Sequence, residues 1–439
     1  MIIKVNGGKA LKGEVKIPGG KNSFLPLIAA SCVTTDDIVF NNIPLGDDNT
    51  EKLEMIKSMG TKIDYYSCKE IKINSKDFVP ISNKISRFRT TILLLGVSLA
   101  RFGVCKISYP KGDQIGARKI DFHIDALEKM GATFEFSDNY IEGKAEKMIG
   151  IEYTLKFASV GATQNIIIAA SLAHGITILN NAGIEPEIIY LCYFLNSIGC
   201  NIEGIGQSRL VIHGSNGKLY NSNKTHYCNI ISDRLQAATY LIAGAITNGD
   251  VTILGEQFLF TLSSLLEYLT EMGFDLICSN NSIRCVRSAK LYIPKEFNIL
   301  TNTFPGFATD LQPLIVPLLC CRSSKSTIKE FIFENRFEYI NELKKMGANI
   351  KEIGNNSIEI QNISQFNPST NLLAKDIRGG ASVLLSTLNA EGESHIFNFY
   401  QITRGYDNLI KNLFNLGADI GIKNKEDYNR AQYRFNFLN

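Results

Sequence analysis

The 439-residue sequence lacks the marks of several protein classes. Its ten cysteines include no Cys-x-x-Cys pair and are scattered too widely for a disulfide framework, so a reducing cytoplasm is the expected compartment. Its five histidines include no His-x-x-x-His, and no tightly held metal is expected. No uninterrupted apolar run approaches the roughly 20 residues of a membrane span. The run at 311–321 is broken by Pro313 and Pro317, and the start, MIIKVNGGKALKG, has no apolar core of a secretory leader. A net charge of +3, from 46 Lys+Arg against 43 Asp+Glu, supplies no basic field for nucleic acid or an anionic membrane. Charge must therefore act locally. The chain is long enough, and at 45% hydrophobic apolar enough, for two ordinary domains.

A repeat is present. Six segments end in an apolar residue, then Gly, then a strand-like run, at Gly60, Gly131, Gly199, Gly273, Gly347 and Gly417, spaced by 71, 68, 74, 74 and 70 residues. Each glycine follows apolar positions at helical spacing, as in DALEKMG and NELKKMG, and suits the left-handed position that ends a helix. Upstream of each lies a second helix, small and apolar, such as ATQNIIIAASLA or RLQAATYLIAGAI, too apolar for a surface. Alternating runs after each glycine read as hairpins, with turns near Asp138-Asn139, Asn280-Asn281 and Asn355-Asn356. Each unit thus reads helix, strand, helix, hairpin. One unit cannot cover its own apolar helix, so sheets from several must surround these helices. Three plus three is the natural division. The expected architecture is α/β, with a first domain over 20–228, carrying a lid at 109–119, and a second over 1–19 and 229–439. The N-terminal strands would complete the second domain, because unit six lacks a full final hairpin. Two crossings between domains suit a hinged cleft.

Charged residues recur at the helix starts: Lys21 with Asn22, Arg89, Arg118, Asp233 with Arg234, Asp310, Arg336, Asp376 with Arg378, and Arg404. Cations are unfavourable where helix dipoles and unpaired N–H groups attract anions. Five of them there (Lys21, Arg89, Arg118, Arg336, Arg404) point to a ligand bearing phosphate and carboxylate, which Arg forks and a compact Lys charge match. Single residues keep plainer readings. Asp310 and Asp233 fit N-caps equally well, Lys21 fits a solvated turn, and Glu185 and Glu187 fit dipole complements. In YPKGDQIGARK at 109–119, Gly112 and Gly116 confer flexibility and Asp113 sits between them, on a mobile lid or in a simple turn. Gly204-Ile205-Gly206 lacks the rest of a dinucleotide fingerprint and reads as a turn.

Nine motifs, in order along nearly the whole chain, resemble the UDP-N-acetylglucosamine 1-carboxyvinyltransferase family of enolpyruvyl transferases: PGGKN at 18–22, ARFG at 100–103, GDQIGAR at 112–118, SVGATQN at 159–165, EPEI at 185–188, SDR at 232–234, TDLQ at 309–312, FENRF at 333–337 and RGY at 404–406. The resemblance implies a two-domain inside-out α/β barrel, no cofactor, and transfer of enolpyruvyl from phosphoenolpyruvate to the 3-hydroxyl of UDP-N-acetylglucosamine, the first committed step of peptidoglycan precursor synthesis. It implies that Lys21, Arg118 and Arg404 surround the phosphoenolpyruvate phosphate, with Arg89, Arg336 and Arg378 as further candidates for ligand charge or loop closure. Asp310 resembles the residue beside the sugar hydroxyl, proposed as general base. Asn22 and Ile332 resemble sugar contacts, and Asp121, Ser159, Val160 and Gly161 resemble residues at the uridine and diphosphate end.

Where this chain has Asp113, many members of the family carry a Cys that the epoxide fosfomycin alkylates. An active, fosfomycin-insensitive enzyme is therefore expected, with Asp113 as proton donor or product-release residue. Smaller departures are Lys119 after the lid Arg in place of Pro, Gln236 in place of Glu, and QITRGY in place of HIDRGY. They leave another nucleotide acceptor open. A catalytically silent UDP-sugar-binding paralogue is the alternative from a different class, against which Lys21, Asp113, Asp310 and Arg404 all stand. Shikimate-3-phosphate transferase shares the implied fold and chemistry but is resembled less. The oligomeric state and the tail at 424–439 are left open.

Overall fold

The computed structural model describes residues 1–80, 89–110, 112–113 and 115–423. Lys111 and Gln114 of the expected lid, and the tail from Asn424, lie outside the described residues. The chain forms two compact units: an N-terminal unit of 19–112 and 119–231, and a C-terminal unit of 1–18, 113–118 and 232–439. Residues 113–118 interrupt the N-terminal unit in sequence yet belong with the C-terminal one.

Each unit has a core of three mutually packed helices: Lys21–Ala30, Leu93–Phe102 and Val160–Leu172 in one, Arg234–Ile246, Gln312–Arg322 and Ile377–Asn389 in the other. These are the apolar helices of the repeat. They are buried nearly end to end, because no face of them is polar enough to meet water. Among the described residues there are six separate sheets, three in each unit, and the layering of helix inside and sheet outside makes the chain a two-domain α/β protein. No helix among the described residues is long and apolar enough to cross a membrane. Ile315, fully buried in the helix Gln312–Arg322, has no surface to relax towards. Ile315→Ala is expected to destabilise its unit by about 2–5 kcal/mol, seen as a lower denaturant midpoint; a loss below about 1 kcal/mol would mean that the helix is not a packed centre.

All six stop glycines have positive φ, between 82° and 106°, where a side chain would be strained. The hairpins follow, as in Ala132–Phe136 with Tyr140–Ala145 and Asn349–Gly354 with Ser357–Gln361. Among the described residues, five of the six sheets have one strand more than the sequence pattern reveals. A short strand preceding a central helix lies parallel at the sheet edge, such as Glu296–Leu300 beside Lys325–Lys329. Such strands bury at most alternate residues over five positions or fewer, so their periodicity is weak. At the two chain crossings these edge strands are exchanged. Lys12–Lys16 precedes the first central helix but pairs with Asp250–Leu254, and Thr225–Asn229 precedes the fourth but pairs with Asp37–Asn41. Ile3–Gly7 lies between Gly392–Phe397 and Asp419–Ile422, antiparallel to both, and fills the place of the missing hairpin strand.

Candidate active site

In the C-terminal unit, the two helix-start aspartates that sequence could not tell apart have different jobs. Asp233 is an N-cap, its carboxylate accepting from the backbone N–H groups of Leu235 and Gln236 at 2.9 and 3.1 Å. Asp310 is not a cap; the helix begins beyond it, after Leu311. Its two oxygens instead take Arg336 Nη2 at 2.5 Å and Arg378 Nε at 3.4 Å. Both arginines are buried, and each keeps an N–H, Arg336 Nε and Arg378 Nη1, that meets no acceptor among the described residues. Burial opposes the charge of Arg378, but Tyr406, Asp310 and Asp233 outweigh it and hold the guanidinium above its ordinary pKa. Tyr406 lies 5.3 Å from that guanidinium, and its hydroxyl is 2.8 Å from Thr239 Oγ1. Asp376 caps the helix Ile377–Asn389 through the N–H groups of Arg378 and Gly379. Burial raises its pKa against the pull of Arg336.

Segment 113–118 is bound to the same unit. Arg404 Nη1 pairs with Asp113 Oδ1 at 2.9 Å and also donates to Gln401 Oε1 at 2.8 Å. The Asn335 N–H donates to the Ile115 carbonyl at 3.0 Å, and the Ala117 N–H to Glu334 Oε2 at 3.2 Å. Gly116 is required here. Its φ is +152°, and a Cβ would sit 2.1 Å from that Glu334 oxygen. Arg118, also at positive φ, lies 5.5 Å from the Phe333 ring, with Arg336 5.9 Å from the same ring. Burial lowers the Arg118 pKa, and Asp113 and Asp310 oppose that. The structure therefore gathers Asp113, Arg118, Asp310, Arg336, Arg378 and Arg404 in one unit. Ile332 adjoins them in sequence, its N–H donating to Glu330 Oε1 at 2.8 Å.

The N-terminal unit holds the rest. Lys21 opens the first central helix and pairs with Asp48 at 2.9 Å; Asn22 beside it is exposed. Arg89 Nη2 donates to the Lys119 carbonyl at 2.9 Å, and Asp121 is the first residue of the helix Asp121–Lys129. Ser159 caps the helix Val160–Leu172, whose first two residues are Val160 and Gly161. Lys21 does open its helix, but Arg404 closes the short helix Tyr400–Thr403 instead of starting one, and Arg336 lies in the turns ahead of Ile340–Lys345; Lys21, Arg336 and Arg404 each have a carboxylate partner. Asp48, Phe333, Glu334 and Gln401 escaped the sequence reading as site residues. Phe333 and Glu334 stand inside the FENRF motif, whereas Asp48 and Gln401 carried no signal beyond their place near a helix start. Gln236 needs no catalytic account. Its amide donates to Asp233 Oδ2 at 3.2 Å and accepts from the Asp407 N–H at 3.1 Å, a double role that Glu could not fill.

Two units, each with three sheets around three buried helices, define the class as a two-domain α/β protein of the EPSP synthase fold. The fold is similar to that of the enolpyruvyl transferase NikO from Streptomyces tendae, with TM-score 0.86 and 21% identity over 96% of this chain and 98% of that one. It is also similar to EPSP synthase from Acinetobacter baumannii, with TM-score 0.74 and 18% identity over 96% and 100%. The family model for EPSP synthase (3-phosphoshikimate 1-carboxyvinyltransferase) matches residues 5–413. Among curated relatives, the UDP-N-acetylglucosamine 1-carboxyvinyltransferase of Campylobacter hominis is 39% identical over 95% of this chain and 98% of its own length. That of Aliarcobacter butzleri is 37% identical over 97% and 99%. The chain belongs to this family of enolpyruvyl transferases.

Proposed function

We propose that this enzyme transfers the enolpyruvyl group of phosphoenolpyruvate to the 3-hydroxyl of UDP-N-acetylglucosamine, releasing phosphate, at the entry to peptidoglycan precursor synthesis in the cytoplasm. The names of the relatives support the acceptor. The observation that carries the reading is the Asp310 carboxylate set between Arg336 and Arg378, in the same unit as Arg118 and Arg404. It puts an acceptor for a hydroxyl proton among cations suited to a substrate with one carboxylate and one phosphate.

In the proposed reaction a proton adds to the C3 methylene of phosphoenolpyruvate and C2 becomes electrophilic. The sugar oxygen bonds to C2 while its proton passes towards Asp310. The tetrahedral intermediate then loses a proton from C3, the C2–O bond to phosphate breaks, and the vinyl group re-forms. Lys21, Arg118 and Arg404 serve the phosphate. Asn22, Asp121, Ser159, Val160, Gly161 and Ile332 serve the nucleotide sugar, and Arg89, Arg336 and Arg378 add charge. Asp113, paired with Arg404 at 2.9 Å, serves as proton donor or in product release. A carboxylate at this position also makes the enzyme insensitive to fosfomycin. The test is phosphate release from phosphoenolpyruvate with UDP-N-acetylglucosamine. Release only with another nucleotide moves the acceptor, and silence with every acceptor leaves a binding paralogue.

A further inference from the structure

We infer that Glu330 is a positioning residue for the reaction: its buried carboxylate ties the segment that carries Asp310 to the turn that carries Ile332 and leads to Arg336, and keeps the two in place while the charge of Asp310 changes. The inference rests on reading Asp310 as the acceptor of the hydroxyl proton, as proposed above.

Glu330 follows the strand Lys325–Lys329 and is 3% exposed. A buried carboxylate is costly unless donors meet its oxygens, and here both oxygens are met. Oε1 accepts from the backbone N–H groups of Ile332 and Phe333 at 2.8 and 3.2 Å, and Oε2 accepts from Thr309 Oγ1 at 2.9 Å. An ionised carboxylate only accepts, so the threonine hydroxyl donates. One oxygen thus holds the head of the FENRF motif and the other the head of the TDLQ motif, 21 residues back along the chain. The turn is also held from its other side. Asn356 Nδ2 donates to the carbonyls of Glu330 and Phe333, both at 2.8 Å, and the Glu330 N–H donates to the Asn356 carbonyl at 2.9 Å. With donors and acceptors both engaged, the turn has little freedom to shift.

Two links therefore join the same pair of segments: Thr309 to Glu330, and Arg336 Nη2 to Asp310 Oδ1 at 2.5 Å. The second is an ion pair, which weakens when Asp310 takes up a proton. The first does not pass through Asp310 and is unaffected by that proton. It holds the base and the Ile332 backbone through a step in which a displacement of about 1 Å costs about 100-fold in rate. Glu330 acts through Thr309 and the turn, and not as a catalytic group itself.

Glu330→Ala is expected to lower kcat for phosphate release by about 10- to 100-fold, the range for a displaced catalytic group. Glu330→Gln should recover most of that loss, because its oxygen can accept from the two backbone N–H groups and its amide can donate to Thr309 Oγ1. Thr309→Val separates the tie from the turn. It removes the hydroxyl, leaves the bonds to Ile332 and Phe333, and should lower kcat about tenfold with KM for both substrates within about twofold. The unfolding transition shows which variants are folded; should Glu330→Ala fail to fold, Thr309→Val decides alone. A folded Glu330→Ala with kcat within about twofold of the unaltered enzyme, no recovery with Gln, or Thr309→Val at full kcat overturns the inference. Each rate is compared with that of the unaltered enzyme on the acceptor it turns over. Normal rates in the variants therefore defeat the role of Glu330 alone, whereas silence of the unaltered enzyme with every acceptor defeats the proposed activity and this inference with it.

Discussion

Asp310→Asn is expected to lower the rate of phosphate release by about 10²- to 10⁴-fold, the range for removal of a general base. The substitution keeps the shape of the side chain and an oxygen for one arginine, but removes the charge proposed to take the hydroxyl proton. It also leaves Arg336 and Arg378, with side chains 2% and 5% exposed, facing a neutral group. Stripping the partner from a buried ion pair costs about 3–5 kcal/mol where nothing replaces it. Here the loss is expected to be smaller, because Arg378 retains Tyr406 and Asp233 as favourable neighbours. The two effects separate by measurement. A folded variant, judged by its unfolding transition, with KM for both substrates little changed and kcat down, supports the catalytic role. A kcat within tenfold of the unaltered enzyme would assign Asp310 to holding the arginine pair instead.

Exposure to fosfomycin should leave the unaltered enzyme active, while Asp113→Cys should be inactivated progressively and irreversibly. The contrast is chemical. A thiolate opens an epoxide readily and a carboxylate is a poor nucleophile; a cysteine beside Arg404, whose Nη1 is 2.9 Å from Asp113 Oδ1, would have its thiolate favoured. The segment is held by backbone bonds from Asn335 and to Glu334, neither of which involves the Asp113 side chain, so the replacement should keep its place. Loss of activity with time, and mass addition at residue 113, are the measurements. If the Cys variant keeps full turnover yet resists the epoxide, residue 113 does not face the reacting substrate.

The parts of this molecule that could be read before folding are those governed by local stereochemistry and composition. A glycine that ends a helix adopts positive φ because of its own missing Cβ, so the six-fold spacing from Gly60 to Gly417 was legible in one dimension. Helices with no polar face had to be interior. The short edge strands, such as Leu372–Leu373 or Glu152–Thr154, were not legible, since two or three residues show no period. The candidate site divides in the same way. Residue types and their recurrence at helix starts pointed to an anion, and the motifs to a family.

Which charge meets which was a different matter. Asp233 and Asp310 look alike in sequence, each just ahead of an apolar helix. One caps its own helix, a local event; the other is held by Arg336 and Arg378, 26 and 68 residues away. Asp113 and Arg404 are 291 positions apart. The chain by itself determined the repeat and the buried helices, because each follows from backbone preference or hydrophobic burial. Only the tertiary structure decided the partners of each aspartate and the exchange of edge strands at the crossings, because each depends on atoms brought within about 3 Å by packing, a distance that spacing along a chain does not encode.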